Sequence, residues 1–94
     1  MANNKPNETI TLTIRSRTGS TYNKQEVFAI TSNNLKGPFD VLPEHENFIS
    51  IIKDRLIVHK TRKDKEEIKI DTGIIKVNDN IVNVFLGLHP EEQI

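Results

Sequence analysis

The sequence predicts an all-β domain, a sandwich or barrel of short strands, and three observations carry that expectation. Apolar, β-favouring runs recur at short intervals from residue 9 to residue 88. Clusters of Gly, Asn, Asp and Pro separate them. No stretch carries the i, i+3, i+4, i+7 spacing of an amphipathic helix.

Residues 1–8 are polar and read as a flexible N-terminal tail. Ile10, Leu12 and Ile14 then alternate with Thr11, Thr13 and Arg15, the period of two of a half-buried strand. Arg17-Thr18-Gly19-Ser20 supplies turn chemistry, Tyr22 opens a small strand or bridge, and Val27 to Thr31 suits a short buried strand. Ser32-Asn33-Asn34 breaks the pattern, and Gly37-Pro38 imposes a second irregular stretch before Phe39, Val41 and Leu42. Pro43 has no N–H to give a ladder, so this segment is expected at a sheet edge or in a loop.

Phe48 to Ile52 and Leu56 to Val58 read as two strands divided by Lys53-Asp54-Arg55. The second pairs with Ile68-Lys69-Ile70, because Lys60 to Glu67 between them is almost wholly charged and reads as an exposed hairpin tip. Asp71-Thr72-Gly73 is expected to turn the chain into Ile74 to Val77, and Asn78-Asp79-Asn80 to turn it again into Ile81 to Leu86. In that last strand Val82, Val84 and Leu86 share one face, and Ile81 and Phe85 the other. His89-Pro90-Glu91-Glu92 has the composition of a helix opening. The division is thus a tail at 1–8, a strand-built domain at 9–88 and a C-terminal stub at 89–94, with Ile10, Leu12, Ile14, Phe39, Leu42, Val82 and Val84 expected in the core.

A chain of 94 residues builds one domain, without a deep cleft between domains. Hydrophobic residues at 35 % are lean for a core but too many for a disordered chain. Thirteen Lys and Arg balance thirteen Asp and Glu, so no nucleic-acid partner is expected. With no cysteine there is no disulfide framework, thiolate metal site or thiol nucleophile. The polar N-terminus and the lack of a long apolar run give no expectation of secretion or membrane insertion. On the same ground Asn7-Glu8-Thr9 reads as a chance glycosylation sequon.

Catalytic chemistry finds little support. His45, His59 and His89 are dispersed, without metal-ligand spacing, and Gly19, Gly37, Gly73 and Gly87 are isolated rather than gathered in a phosphate cradle. Asp40, Glu44, His45 and Glu46 crowd one loop, where carboxylates face water unless a pocket joins them to the histidine.

Two segments carry a family resemblance. Gly37-Pro38-Phe39-Asp40-Val41-Leu42-Pro43-Glu44-His45 keeps a glycine, a large apolar residue, an apolar pair, a proline and a histidine in order. Thr72-Gly73, followed by Ile74 to Val77, the Asn78-Asp79-Asn80 turn and Ile81 to Val84, adds a glycine, an apolar strand, a tight turn and a valine-rich strand. Together they resemble the N-terminal β-sandwich domain of the epsilon subunit of F-type ATP synthases, over residues 9 to 88. The sequence departs from that pattern at Pro38, Asp40, Glu44, Glu46-Asn47 and Asp71-Thr72.

The resemblance implies two mainly antiparallel sheets packed face to face, a β-sandwich of about ten short strands, serving as a non-catalytic subunit at the foot of the central stalk. It would bind the gamma subunit and the polar loops of the membrane rotor ring and so couple proton flow to ATP synthesis. It would lie peripherally on the cytoplasmic side of the membrane and be monomeric when isolated. One outer sheet face is expected to meet gamma through apolar and uncharged contacts. Ser16, Gly37, Pro38 and His45 match positions near the ring and are the candidate interface residues. Residue by residue the alternatives are plain: a His45 ring capping a backbone group, and a Gly37 backbone at positive φ. The C-terminal helical hairpin of family members is absent from these 94 residues, so no cofactor, no ATP binding and no hairpin inhibition are expected. The changed loop residues keep open a stand-alone binding module with another partner.

Overall fold

The computed structural model describes residues 8–17 and 19–87. The described residues form seven strands: β1 (Ile10–Ser16), β2 (Gly19–Val27), β3 (Ala29–Asn34), β4 (Gly37–Val41), β5 (Phe48–His59), β6 (Lys65–Asn78) and β7 (Ile81–Leu86). They form one hydrogen-bonded sheet in the order β2-β1-β7-β6-β5-β3-β4. Every neighbouring pair is antiparallel except β1 with β7.

This sheet is folded on itself. Ile10, Leu12, Ile14, Ile30, Val41, Leu56, Val58, Ile75, Val82 and Val84, from six strands, are each no more than 1 % exposed and belong to one cluster. A flat sheet leaves one face wet, so burial this complete requires two layers facing each other. The long strands pass from layer to layer: β6 pairs with β7 only from Gly73 to Asn78, and β5 pairs with β3 only from Lys53 to His59. The first layer is therefore β2, β1, β7, the second half of β6 and the first half of β5. The other halves join β3 and β4 in the second layer. A register shift between Lys53 and Asp54, with Asp54 at φ 75°, marks the bend in β5.

The all-β sandwich is as expected, with seven strands in place of about ten. Phe48–Ile52 and Leu56–Val58 are one strand, because Lys53-Asp54-Arg55 forms a bulge and not a loop. Asp71-Thr72-Gly73 is likewise interior to β6. Gly73 is there because β6 and β7 approach closely: an added Cβ would lie 2.8 Å from the Phe85 carbonyl oxygen and 2.9 Å from Leu86 Cδ2. The Val27–Thr31 run, by contrast, is split at Phe28 between β2 and β3.

Ser32-Asn33-Asn34 stays in β3, and Gly37-Pro38 opens β4 instead of forming an irregular stretch. The turn between them is only Leu35-Lys36, with the Asn34 side chain accepting from the Lys36 N–H at 2.8 Å. Since Asn34 pairs with Gly37 at the end of this hairpin, Pro38 occupies a non-hydrogen-bonded site opposite Asn33 on an edge strand, where a missing N–H costs no ladder bond. The Asn78-Asp79-Asn80 turn is as read: Asp79 (φ 53°) and Asn80 (φ 67°) are both left-handed, the requirement of a two-residue type I′ hairpin. The charged Lys60–Glu67 segment is exposed as expected, but the tip itself is only Lys60–Asp64: Lys65, Glu66 and Glu67 already belong to β6, paired with His59, Val58 and Ile57.

Of the expected core, Leu42 is corrected. It is 47 % exposed, because Val41 takes the inward place at the end of β4 and the chain leaves the sheet after it. Phe39 is half-buried, its ring edge-on to Phe48 at 5.8 Å. Residues 1–7, Thr18 and the stub from 88 onward, including the helix-like His89-Pro90, lie outside the described residues.

The two layers are tied by Tyr22, the one tyrosine of the chain. It is 4 % exposed on β2, and its hydroxyl donates to Glu66 Oε1 on β6. Burial, then this hydrogen bond, then the negative charges of Glu66 and Asp64 push the phenol up to about 12. Above its ordinary value of about 10 an unfolded tyrosine loses its proton while the native one keeps it. The native state then binds more protons, so the contribution of Tyr22 to stability is complete below pH 10 and is lost as the pH rises towards 12. With no tryptophan and a single tyrosine, the absorbance of tyrosinate reads this group alone. The expected midpoint is near 12, and the stability advantage over Tyr22→Phe should shrink above pH 10. A midpoint near 10 would mean that Tyr22 is neither buried nor tied to Glu66 as described.

Candidate partner-binding face

Strand alternation gives each layer an outward face, and the two faces differ. On the second layer, Asp40, Thr31, Ile57 and Glu67 lie in one cross-strand row. The Thr31 hydroxyl donates to Asp40 Oδ1 at 2.6 Å, so it accepts from His59 Nε2 at 2.9 Å. A nucleophilic triad needs the imidazole between carboxylate and hydroxyl, and here the hydroxyl is in the middle. That order holds a surface together and does not activate an oxygen.

On the first layer an apolar row runs through the outward positions. Ile51, Ile74 and Phe85 are directly paired across β5, β6 and β7, and Arg15 of β1 completes the row. The adjacent row is Ile49, Lys76, Asn83 and Thr13. Ile49 is 66 % exposed, Ile51 58 % and Ile81, at the start of β7, 52 %, whereas Ile74 and Phe85 are half-buried. Beside β5 the Leu35-Lys36 turn brings up Leu35, 86 % exposed, which with Phe48, Ile49 and Ile51 lines a shallow groove. The core is complete without these side chains, so their exposure makes this face the candidate interaction surface.

The sequence gives a signal for this face. Phe48-Ile49, Ile51-Ile52 and Ile74-Ile75 are adjacent apolar pairs, which leaves apolar side chains on both faces of a strand, and alternation sets Ile81 and Phe85 opposite the core-facing valines. What hid it was the missing register, which alone sets Ile51, Ile74 and Phe85 side by side.

The structure spreads the four candidate interface residues. Ser16 ends β1 at the β1–β2 turn, its hydroxyl 3.2 Å from the Gly19 carbonyl oxygen. His45 follows β4 and lies at the other end of β1: the Glu44 N–H donates to Asn80 Oδ1 at 2.6 Å, and the Asn80 carbonyl accepts from the Thr11 N–H at 2.8 Å. From Thr11 to Ser16 is on the order of 16 Å of strand. Gly37 (φ 121°) and Pro38 stand at the β3–β4 turn. His45 Nδ1 is 2.8 Å from the Glu46 carbonyl oxygen, an atom that only accepts, so Nδ1 carries the proton and the ring caps that backbone group. Its ring also packs on Phe48, centroids 5.0 Å apart. With Glu44, Asp79 and Asn80 it lines an open polar hollow. Among the described residues no three His, Asp or Glu side chains are placed to hold a metal ion.

A profile of the family described as ATP synthase, Delta/Epsilon chain, beta-sandwich domain matches residues 9–86. No curated protein matches the chain. Among solved structures, a chain in the mitochondrial ATP synthase of Euglena gracilis (OSCP/F1/c-ring, rotational state 1) superposes with a TM-score of 0.81 at 25 % identity, over 99 % of this chain. A chain in the Tetrahymena thermophila mitochondrial ATP synthase central stalk/c-ring gives 0.68 at 11 % identity over 80 % of this chain, a likeness of fold. The present chain spans 60 % of the length of each.

Proposed function

The chain belongs to the ATP synthase delta/epsilon family, sharing its β-sandwich domain, and on that premise we propose that it is a non-catalytic subunit of the central stalk. The first layer's outward face binds the gamma subunit, one end of the sandwich meets the rotor ring, and the domain thereby couples proton flow to ATP synthesis. The observation that carries this reading is the Ile51–Ile74–Phe85 row, an apolar surface on a sandwich whose core is already closed. Among the described residues no helix is long and apolar enough to cross a membrane, in keeping with a peripheral place in a membrane-bound complex.

The polar loops of a ring call for a polar complement, and the hollow of Glu44, His45, Asp79 and Asn80 offers one. His45 thus belongs to the ring-facing end, and Ser16, at the opposite end of β1, does not. A lone rim substitution costs on the order of 1 kcal/mol or less at a distant interface. His45→Ala should therefore leave affinity for isolated gamma nearly unchanged and weaken docking of the gamma-bound subunit onto membranes carrying the ring, while Ser16→Ala should alter neither. Equal losses in both assays for His45→Ala would contradict this orientation. Failure of the wild type to bind gamma would favour a stand-alone module with a different partner.

A further inference from the structure

Away from β2, charge on the first layer's outward face is one-sided. The outward positions of β1, β7 and the paired halves of β5 and β6 carry Arg15, Lys53 and Lys76, all exposed, and no Asp or Glu. Lys53 follows Ile51 by two residues on the same strand face, Lys76 lies between Ile49 and Asn83, and Arg15 is opposite Phe85. Lys36, on the turn that flanks Ile49 and Ile51, adds a fourth cation at the rim of the groove. The nearest carboxylates by register border this set: Asp54 and Asp71, next in sequence to Lys53 and to its partner Thr72 and lining one hollow with Lys69 and Ile70; Glu26 on β2, opposite Thr11 and accepting from the Thr9 hydroxyl; and Asp79 in the β6–β7 turn. The chain as a whole is neutral, so its acids are displaced elsewhere, Asp40 and Glu67 on the second layer among them.

An apolar centre ringed by cations selects a partner surface of the opposite pattern. Resting on the reading of this face as the gamma-binding face, we propose that the surface of gamma seated on it is an apolar strip bordered by carboxylates. The apolar row holds the complex, and Lys53, Lys76, Arg15 and Lys36 steer its approach and fix its register. Charges at the edge of an interface act chiefly on the association rate and are screened by salt, whereas a buried apolar anchor acts on dissociation.

The test compares wild type with the Lys53→Glu/Lys76→Glu double variant and with Ile74→Asp, each binding the isolated gamma subunit in about 50 mM and about 500 mM NaCl. For the wild type the association rate should fall about tenfold at the higher salt. The charge-reversed variant should associate about tenfold more slowly at low salt, lose the salt dependence, and dissociate within about threefold of the wild type. The exposed positions of both lysines leave the fold intact, which the tyrosinate titration checks. If the double variant binds like wild type at both salt concentrations while Ile74→Asp does not bind, the acidic border is wrong and the gamma-binding face stands. If the wild type itself fails to bind gamma, the functional reading falls and this inference falls with it.

Discussion

Gly73→Ala should destabilise the domain by about 2–3 kcal/mol, as expected for forcing extra volume into a close-packed site. The added methyl would meet the Phe85 carbonyl oxygen at 2.8 Å and Leu86 Cδ2 at 2.9 Å. The first of these is backbone, held in the ladder between β6 and β7, so it has little room to move. Relief requires the two strands to separate at the place where β6 leaves one layer for the other. For a domain of this size the loss corresponds to a fall in melting temperature on the order of 10–20 °C. Thermal unfolding followed by circular dichroism measures it, and a variant melting within a few degrees of wild type would show that this approach is looser than described.

The next residue along should behave in the opposite way. Ile74→Asp points outward, into the middle of the apolar row between Ile51 and Phe85, and displaces nothing from the core cluster. Its cost to folding is limited to about 1 kcal/mol, the span of strand propensity. At an interface, however, it places a charge in the desolvated centre, where affinity is concentrated in a few side chains. Affinity for gamma should fall by about 3 kcal/mol or more, roughly 100-fold or greater. Loss of stability without loss of binding, or loss of both together, would make Ile74 a packing residue. Adjacent positions on one strand thus separate the two tasks of β6: Gly73 lets the layers close, and Ile74 faces the partner.

The fold class, the strand periodicity of β1 and β7, the presence of the Asp79-Asn80 turn and the exposed hairpin tip are legible in the sequence, because each is set by residues near one another in the chain. It overcounted strands where a local signal had a non-local cause. Gly73 resembles turn chemistry, yet it answers to Phe85, twelve residues away. Lys53-Asp54-Arg55 resembles a loop, yet it is a bulge whose partners on β6 keep pairing on both sides. The candidate site was legible only in part. His45 and Ser16 are adjacent to expected loops, but their separation along β1 follows from the parallel pairing of β1 with β7, which no local pattern announces. The apolar row likewise needed the register of three strands, although the unalternating isoleucines of β5 and β6 already implied two apolar faces.

The central claim, that a partner is held on the first layer's outward face, is tested most directly by isoleucine-methyl NMR of the domain titrated with isolated gamma. Isoleucines report from every side of the fold: Ile49, Ile51 and Ile74 on the outward apolar face, Ile10, Ile14 and Ile75 in the core, and Ile57 in the outward row of the other layer. Saturable shifts or broadening at Ile49, Ile51 and Ile74, with Ile57 unmoved, is the expected result. Perturbation centred on Ile57, or none at all in a complex that forms, would contradict it.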